Sequence, residues 1–267
     1  MRIAVIGGGN MGSAMTRAFF RNKLVQSADV CFVEPDAEKR AALAEEFGCQ
    51  TLDSCSERLR EYDFILLAVK PQIAIKVMQT LKSGMDSKQV VMSIMAGVSI
   101  KTISEILNPA RVVRVMPNTP SQIGEGMSAY YAESSILPEE KQTIAQLLEA
   151  CGKCIEVPDE SWMDAVTAVS GSGPAYLFYL AEQMVSAALA FGFNETDAFT
   201  MVAQTLKGAV LLWENSGISP QILRKQVTSP GGTTEAALNV FEARNVGPSI
   251  QQGIQRACER SRELSRQ

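Results

Sequence analysis

The chain has 267 residues, 46% of them apolar and 20% charged, which describes a water-soluble globular protein with material for one large or two ordinary domains. A net charge of −4 leaves no basic footprint for nucleic acid, and no basic amphipathic face for a membrane surface stands out. Histidine is absent altogether, so the commonest metal ligand and the commonest general base are missing, and no metal site is expected.

The N-terminal MRIAVIGGGN runs straight into glycines and does not resemble a signal peptide. RIAVIG predicts the first strand, and the helical pattern MGSAMTRAFFRN follows it. VCFVEP predicts a second strand and DAEKRAALAEEFG a second helix. Further strands are predicted in FILLAVKP, VVMSIMAG, RVVRVMP and MSAYYA, and the helix EEKQTIAQLLEACG leads into the strand-like CIEVP. This alternation argues for βαβ units and a parallel sheet covered on both faces. Beyond Pro158 the strand signals stop. A long apolar helical segment runs from Trp162 to Phe191, another from Glu195 to Trp213, and three shorter ones follow.

The predicted architecture is an α/β Rossmann-type dinucleotide-binding domain over residues 1–158, followed by an all-α C-terminal dimerisation domain over residues 159–267. The helix YLFYLAEQMVSAALAFG is apolar on more than one face and calls for more burial than a small bundle supplies, which predicts a homodimer. Glu182 and Gln183 interrupt that stretch, so it reads as a buried helix and not a membrane span. A cytoplasmic protein is expected. Six cysteines are scattered along the chain, and only Cys151 and Cys154 in CGKC are close. They follow a helix and precede a strand, the reverse of a thioredoxin-like pair, so ordinary packing is expected.

Gly7, Gly9 and Gly12 form a Gly-x-Gly-x-x-Gly pattern between the first strand and the first helix, the context that makes it a dinucleotide-binding turn. The first glycine permits the turn, the second admits the pyrophosphate, and the third lets helix and strand pack closely. Glu34 closes the second strand, 22 residues after Gly12. A carboxylate there accepts hydrogen bonds from both ribose hydroxyls of NAD and repels a 2′-phosphate, so NAD(P)H is expected with a lean toward NADH. Lys39 and Arg40 lie close enough to soften that repulsion. AVKP (Ala68, Val69, Lys70, Pro71) and MPNTP, which contains Asn118, fall at carboxyl ends of strands, where ligands bind in open α/β sheets.

One turn interrupts the helical region, SPGGTT from Ser229 to Thr234. Its simplest reading is a break followed by an N-cap at Thr233 or Thr234. The alternative is an anion site at the start of the next helix.

GGGNMG, AVKP, SIMAGVSI, RVMPNTP, VSGSGPAYLF and SPGGTTEAAL occur in the order and spacing of one family. Over essentially its whole length the chain resembles the pyrroline-5-carboxylate reductase family. The resemblance implies reduction of Δ1-pyrroline-5-carboxylate to L-proline with NAD(P)H, the last step of proline biosynthesis. It also implies a helical domain that interlocks two subunits, with dimers commonly assembled into decamers. Carried over residue by residue, it implies a phosphate-binding turn at Ile6, Gly7, Gly8, Gly9, Asn10 and Met11. Nicotinamide-side contacts follow at Ala68 to Pro71 and further cofactor contacts at Ile94, Met95 and Ala96, with a substrate-associated acid at Glu160 and a substrate-binding pair at Thr233 and Thr234. In that reading the turn with Ser229 and Gly232 holds the substrate carboxylate on backbone N–H groups, and the Thr234 hydroxyl reaches the imine nitrogen. Glu160 and Thr234 are the candidate catalytic residues. Two positions depart from the family: Cys55 stands where many members carry an Asn against the cofactor ribose, and Glu34 stands where NADPH-preferring members have a small or basic residue.

A protonated cyclic imine is already a good hydride acceptor, so the missing histidine is no obstacle to this chemistry. Two other readings remain. A β-hydroxyacid dehydrogenase needs a helix-borne catalytic Lys, for which Lys207 is a rough match in the wrong glycine setting. A non-catalytic NAD(H)-binding redox sensor has no use for SPGGTTEAAL.

Overall fold

A computed structural model describes residues 1–54, 57–108 and 111–265. Short apolar runs form β1 (Ile3–Ile6), β2 (Val30–Val33), β4 (Phe64–Leu67) and β5 (Val90–Ser93), each buried along its full length. That is how a strand covered on both faces reads in sequence. β3 (Gln50–Leu52), β6 (Arg111–Met116), β7 (Gly126–Ala132) and β8 (Gly152–Glu156) complete an eight-stranded sheet in the order β3-β2-β1-β4-β5-β6-β7-β8. All neighbours are parallel except β6 and β7. The connecting helices are α1 (Asn10–Arg21), α2 (Ala37–Phe47), α3 (Ala74–Leu81), α4 (Ile100–Ile106) and α5 (Pro138–Glu149). Two apolar cores result. One contains Met15, Phe19, Phe32, Phe47 and Leu147, the other Leu59, Ile65, Met78, Leu81 and Ile103.

Strand order reverses between β1 and β4, which pair with Ile6 beside Leu67. The chain segments leaving β1, β4, β5 and β6 therefore emerge side by side, the crevice where open α/β sheets bind ligands. β3 is the strand that the alternation of apolar runs does not reveal, because its three residues sit at the sheet edge and none is buried.

After β8 the chain is helical: α6 (Met163–Val166), a π-helical turn (Thr167–Gly171), α7 (Gly173–Ala190), α8 (Glu195–Ser216), α9 (Pro220–Gln226), α10 (Thr233–Ala243) and α11 (Val246–Leu264). The long helix expected from Trp162 to Phe191 is thus broken. Gly171 packs so closely on Met116 that a Cβ there would lie 2.5 Å from Met116 Cε. α11 is also longer than the pattern predicted, with 19 residues.

The chain packs as two compact units, Met1–Ser172 together with the residues from Ala257 onward, and Gly173–Arg256. In the second unit α7 and α8 form a helical hairpin through Gly192, with Asn194 capping α8 by accepting the Asp197 N–H at 2.9 Å. Among the described residues of that unit only Ala188, Ala198 and Val202 are buried, while Phe178, Tyr179, Phe191, Phe199 and Trp213 stand exposed. Among the described residues no helix is long and apolar enough to cross a membrane, and no group of His, Cys, Asp and Glu side chains is placed to hold a metal ion. The five described cysteines are free. Burial pushes the Cys151 thiol up to about 12, which suits a protonated packing residue.

Candidate active site

The glycine turn is shaped by its neighbours. Gly7 has φ +101°, and a Cβ on it would lie 2.9 Å from the Ala68 carbonyl oxygen and from Val69 Cγ1. A Cβ on Gly12 would approach the Gly7 oxygen to 2.6 Å and Ala68 Cβ to 3.0 Å. Gly9 differs, because a Cβ there would meet nothing within 4 Å. It is the exposed N-cap of α1, with no side chain capping the helix and no acidic residue in the first turn. Gly9 and Asn10 thus present an open, uncapped helix N-terminus to solvent, and this fits a pyrophosphate. Beside it, Gly8, Gly9, Asn10 and Ser13 line a cavity of about 300 Å³ with Lys39 of α2.

Glu34 lies at the end of β2 and is 8% exposed. Its Oε2 accepts the Gly8 N–H at 3.0 Å and its Oε1 the Asp36 N–H at 3.2 Å. Arg40, close in sequence to that carboxylate, spends its guanidinium on the carbonyl oxygens of Glu34 (2.9 Å) and Pro35 (2.7 Å). Cys55, the other departure from the family, lies outside the described residues.

The neighbouring segments line up as the strand order requires. The Ala68 N–H donates to the Ile6 oxygen at 2.9 Å and the Ile94 N–H to the Leu67 oxygen at 3.1 Å, so AVKP and SIMAG leave the sheet next to the glycine turn. Lys70 is exposed at the head of the short turn begun by Pro71. Ile6 and Met95 are buried in the core, and Val69 and Met11 pack against it.

Two of the expected site residues are engaged within the protein. Asn118 accepts the Met127 N–H at 2.8 Å and donates to the Ser170 oxygen at 3.3 Å, joining RVMPNTP to VSGSGP. Glu160 Oε1 accepts the Ile100 N–H at 2.8 Å and pairs with Arg114 at 3.0 Å. Arg114 is 5% exposed on β6, so Glu160 neutralises a nearly buried cation. Sequence reasoning passed over Arg114; its signal was a charge in the middle of the apolar run RVVRVM.

The SPGGTT turn lies in the second unit. α9 ends at Gln226 and α10 starts at Thr233, with Gly232 as the N-cap and no side-chain cap. The expected alternative of a Thr233 or Thr234 cap is therefore not what forms: both threonines are inside the helix. Gly231 has φ +71° and donates its N–H to Glu235 Oε2 at 2.7 Å, and the Gly232 N–H bonds the Ser229 oxygen at 3.0 Å. The Thr233 and Thr234 N–H groups lead the helix and have no carbonyl of it to bond. Lys207 is exposed on α8.

Two family models match the chain: one for pyrroline-5-carboxylate reductase dimerisation over residues 160–264, the other for NADP oxidoreductases, coenzyme F420-dependent, over residues 2–97. The pyrroline-5-carboxylate reductase of Pseudomonas aeruginosa is 38% identical, over 100% of this chain and 97% of its own length. The structure of a Coxiella burnetii pyrroline-5-carboxylate reductase matches with a TM-score of 0.90 and 32% identity, over 99% of this chain and 98% of that one. A Plasmodium falciparum pyrroline carboxylate reductase with NADP bound gives a TM-score of 0.90 at 28% identity, over the same shares. Fold, glycine turn and full-length likeness agree, and the chain belongs to the pyrroline-5-carboxylate reductase family.

Proposed function

We propose that the start of α10 holds the substrate of this NAD(P)H-dependent enzyme, which reduces Δ1-pyrroline-5-carboxylate to L-proline. The observation that carries the assignment is the uncapped helix start, whose Thr233 and Thr234 N–H groups suit a carboxylate. Ser229 and Gly232 shape the turn beneath it, and the Thr234 hydroxyl takes the imine nitrogen. The cofactor, when bound, supplies the hydride. The chain's own work is to fix the imine's orientation and balance the charge of its carboxylate. Glu160, substrate-associated by resemblance, has its Oε1 in the Arg114 pair, and the role proposed for it is to hold β6 and the start of α4 together.

On the cofactor side the proposed contacts are Ile6 to Gly12, Ala68 to Pro71, Ile94 to Ala96, Asn118 and Glu34. NADH is the proposed preference. It is supported by the Glu34 carboxylate fixed beside Gly8, and by the commitment of Arg40 to backbone carbonyls instead of a phosphate. A carboxylate has lone pairs left for ribose hydroxyls after accepting two N–H groups.

Residues 1–158 form the proposed cofactor part and 159–267 the substrate and dimerisation part. The proposed assembly is a dimer, with a decamer as the higher form that family resemblance implies, and the proposed compartment is the cytoplasm, whose reducing conditions suit free thiols. Steady-state oxidation of NADH and NADPH with the cyclic imine tests the reading. Imine-dependent turnover is expected, and none above the uncatalysed rate with either cofactor overturns it.

A further inference from the structure

The loop after β5 is held by residues far away in sequence. The Ile94 N–H is tied to β4, and Met95 is buried in the core. On the other side Ser99 caps α4 and the Ile100 N–H is held by Glu160. Between these anchors lies Gly97, with φ +73°. A Cβ on Gly97 would lie 3.3 Å from Leu264 Cβ and 3.5 Å from the Ser265 nitrogen, so the last turn of α11 lies directly on the loop backbone. That turn is itself anchored. Ser261 is 5% exposed, and its Oγ donates to Asp164 Oδ1 at 2.6 Å. The Ser265 N–H and hydroxyl both donate to the Ser261 oxygen at 3.0 Å.

We propose that the end of α11, through Ser261 and Leu264, is a positioning device for the cofactor loop Ile94–Ala96. The inference rests on the assignment of that loop as a cofactor contact. A loop that contacts a ligand adds affinity only if its shape is set before binding, so that ordering does not oppose association. Gly97 is the weak point, because glycine alone ranges over both halves of backbone space. The Cβ and backbone of Leu264 lie against the open side of that glycine, and the Ser261–Asp164 bond holds the turn that carries them.

The test is the full-length double variant Ser261→Ala/Leu264→Gly, which removes the Leu264 Cβ that faces Gly97, with NADH Kd, imine KM, saturated kcat, melting temperature and assembly mass measured on the same preparations. Loss of the brace is expected to raise the NADH Kd about five- to tenfold, with saturated kcat and imine KM within about twofold and the mass unchanged. A lower melting temperature with an unchanged Kd means a merely structural contact and overturns the inference. Should the double variant fail to fold, Asp164→Asn weakens the same hydrogen bond with little change of shape, and the same rise or constancy of Kd decides. Ala96→Val, inside the loop, separates the two layers of the argument. If it raises Kd while the α11 variants do not, the brace alone is wrong. If it also leaves Kd unchanged, the loop assignment fails and the inference falls with it.

Discussion

Gly231 and Gly232 stand side by side for different reasons. Gly231 occupies the left-handed region, which a side chain would strain, whereas Gly232 has φ −85° and any residue adopts its backbone. What excludes a side chain at Gly232 is Ser229, whose Oγ would lie 2.6 Å from a Cβ. Gly232→Val is therefore expected to displace Ser229 and the turn, lowering both stability and turnover. Thr234→Ala is the cleaner variant, since Thr234 caps nothing. Its melting temperature should stay within a degree or two of the unmodified enzyme, while kcat/KM for the imine falls by about 1.5–3 kcal/mol of transition-state stabilisation. Unchanged turnover in Thr234→Ala removes the hydroxyl from the mechanism. At Glu34 the expectation is that NADH is used at least as well as NADPH, and that Glu34→Ser shifts kcat/KM toward NADPH by removing a fixed negative charge. A preference of the unmodified enzyme for NADPH beyond about tenfold contradicts this. The glycines and Glu34 were legible in the sequence because motif spacing carries them. The commitments of Asn118 and Arg40 were not, because they are set by tertiary contacts with Met127, Ser170 and two carbonyl oxygens.

Elements were legible in proportion to their apolar content. The buried runs of β1, β2, β4 and β5 announce themselves, and the capped helices follow, such as α2 with Asp36 accepting from the Glu38 and Lys39 N–H groups. β3 and the break before α7 do not, because one depends on edge pairing with β2 and the other on Gly171 meeting Met116. The join between β6, α4 and the turn at Glu160 was likewise invisible, although it consists of one ion pair and one N–H bond. Its loss has a measurable cost. Glu160→Ala leaves Arg114 nearly buried without its carboxylate and the Ile100 N–H without an acceptor. Because Glu160 is partly exposed, water will compensate some of this, and about 1–3 kcal/mol of stability loss in urea unfolding is expected. Glu160→Gln should lose less, since its amide oxygen still accepts from Ile100. If Glu160→Gln instead raises the imine KM several-fold at near-normal stability, the carboxylate meets substrate directly.

For the molecule as a whole, the second unit cannot bury its own apolar side chains. Phe178, Tyr179, Phe191, Phe199 and Trp213 need a covering surface, as the dimerisation match over 160–264 supplies. Phe199→Glu is expected to weaken association, seen in light scattering as a lower mass at micromolar concentration. A chain ended at residue 158, the predicted end of the dinucleotide-binding domain, would lose Met163 and the end of α11 from the first unit. Such a truncation should be inactive, less stable, and weaker for NADH than the full chain; full-strength binding would contradict the packing described here. Strand order also imposes a timetable on synthesis. β1 pairs on one side with β4, and Gly7 and Gly12 both pack on Ala68, so the glycine turn waits for a strand whose partner residues come 61 positions later. At roughly 5–20 residues per second that wait lasts about 3–12 s, during which β1 has one edge unpaired and apolar. A ribosome stalled short of Ala68 carries the glycine turn without the surface that shapes it.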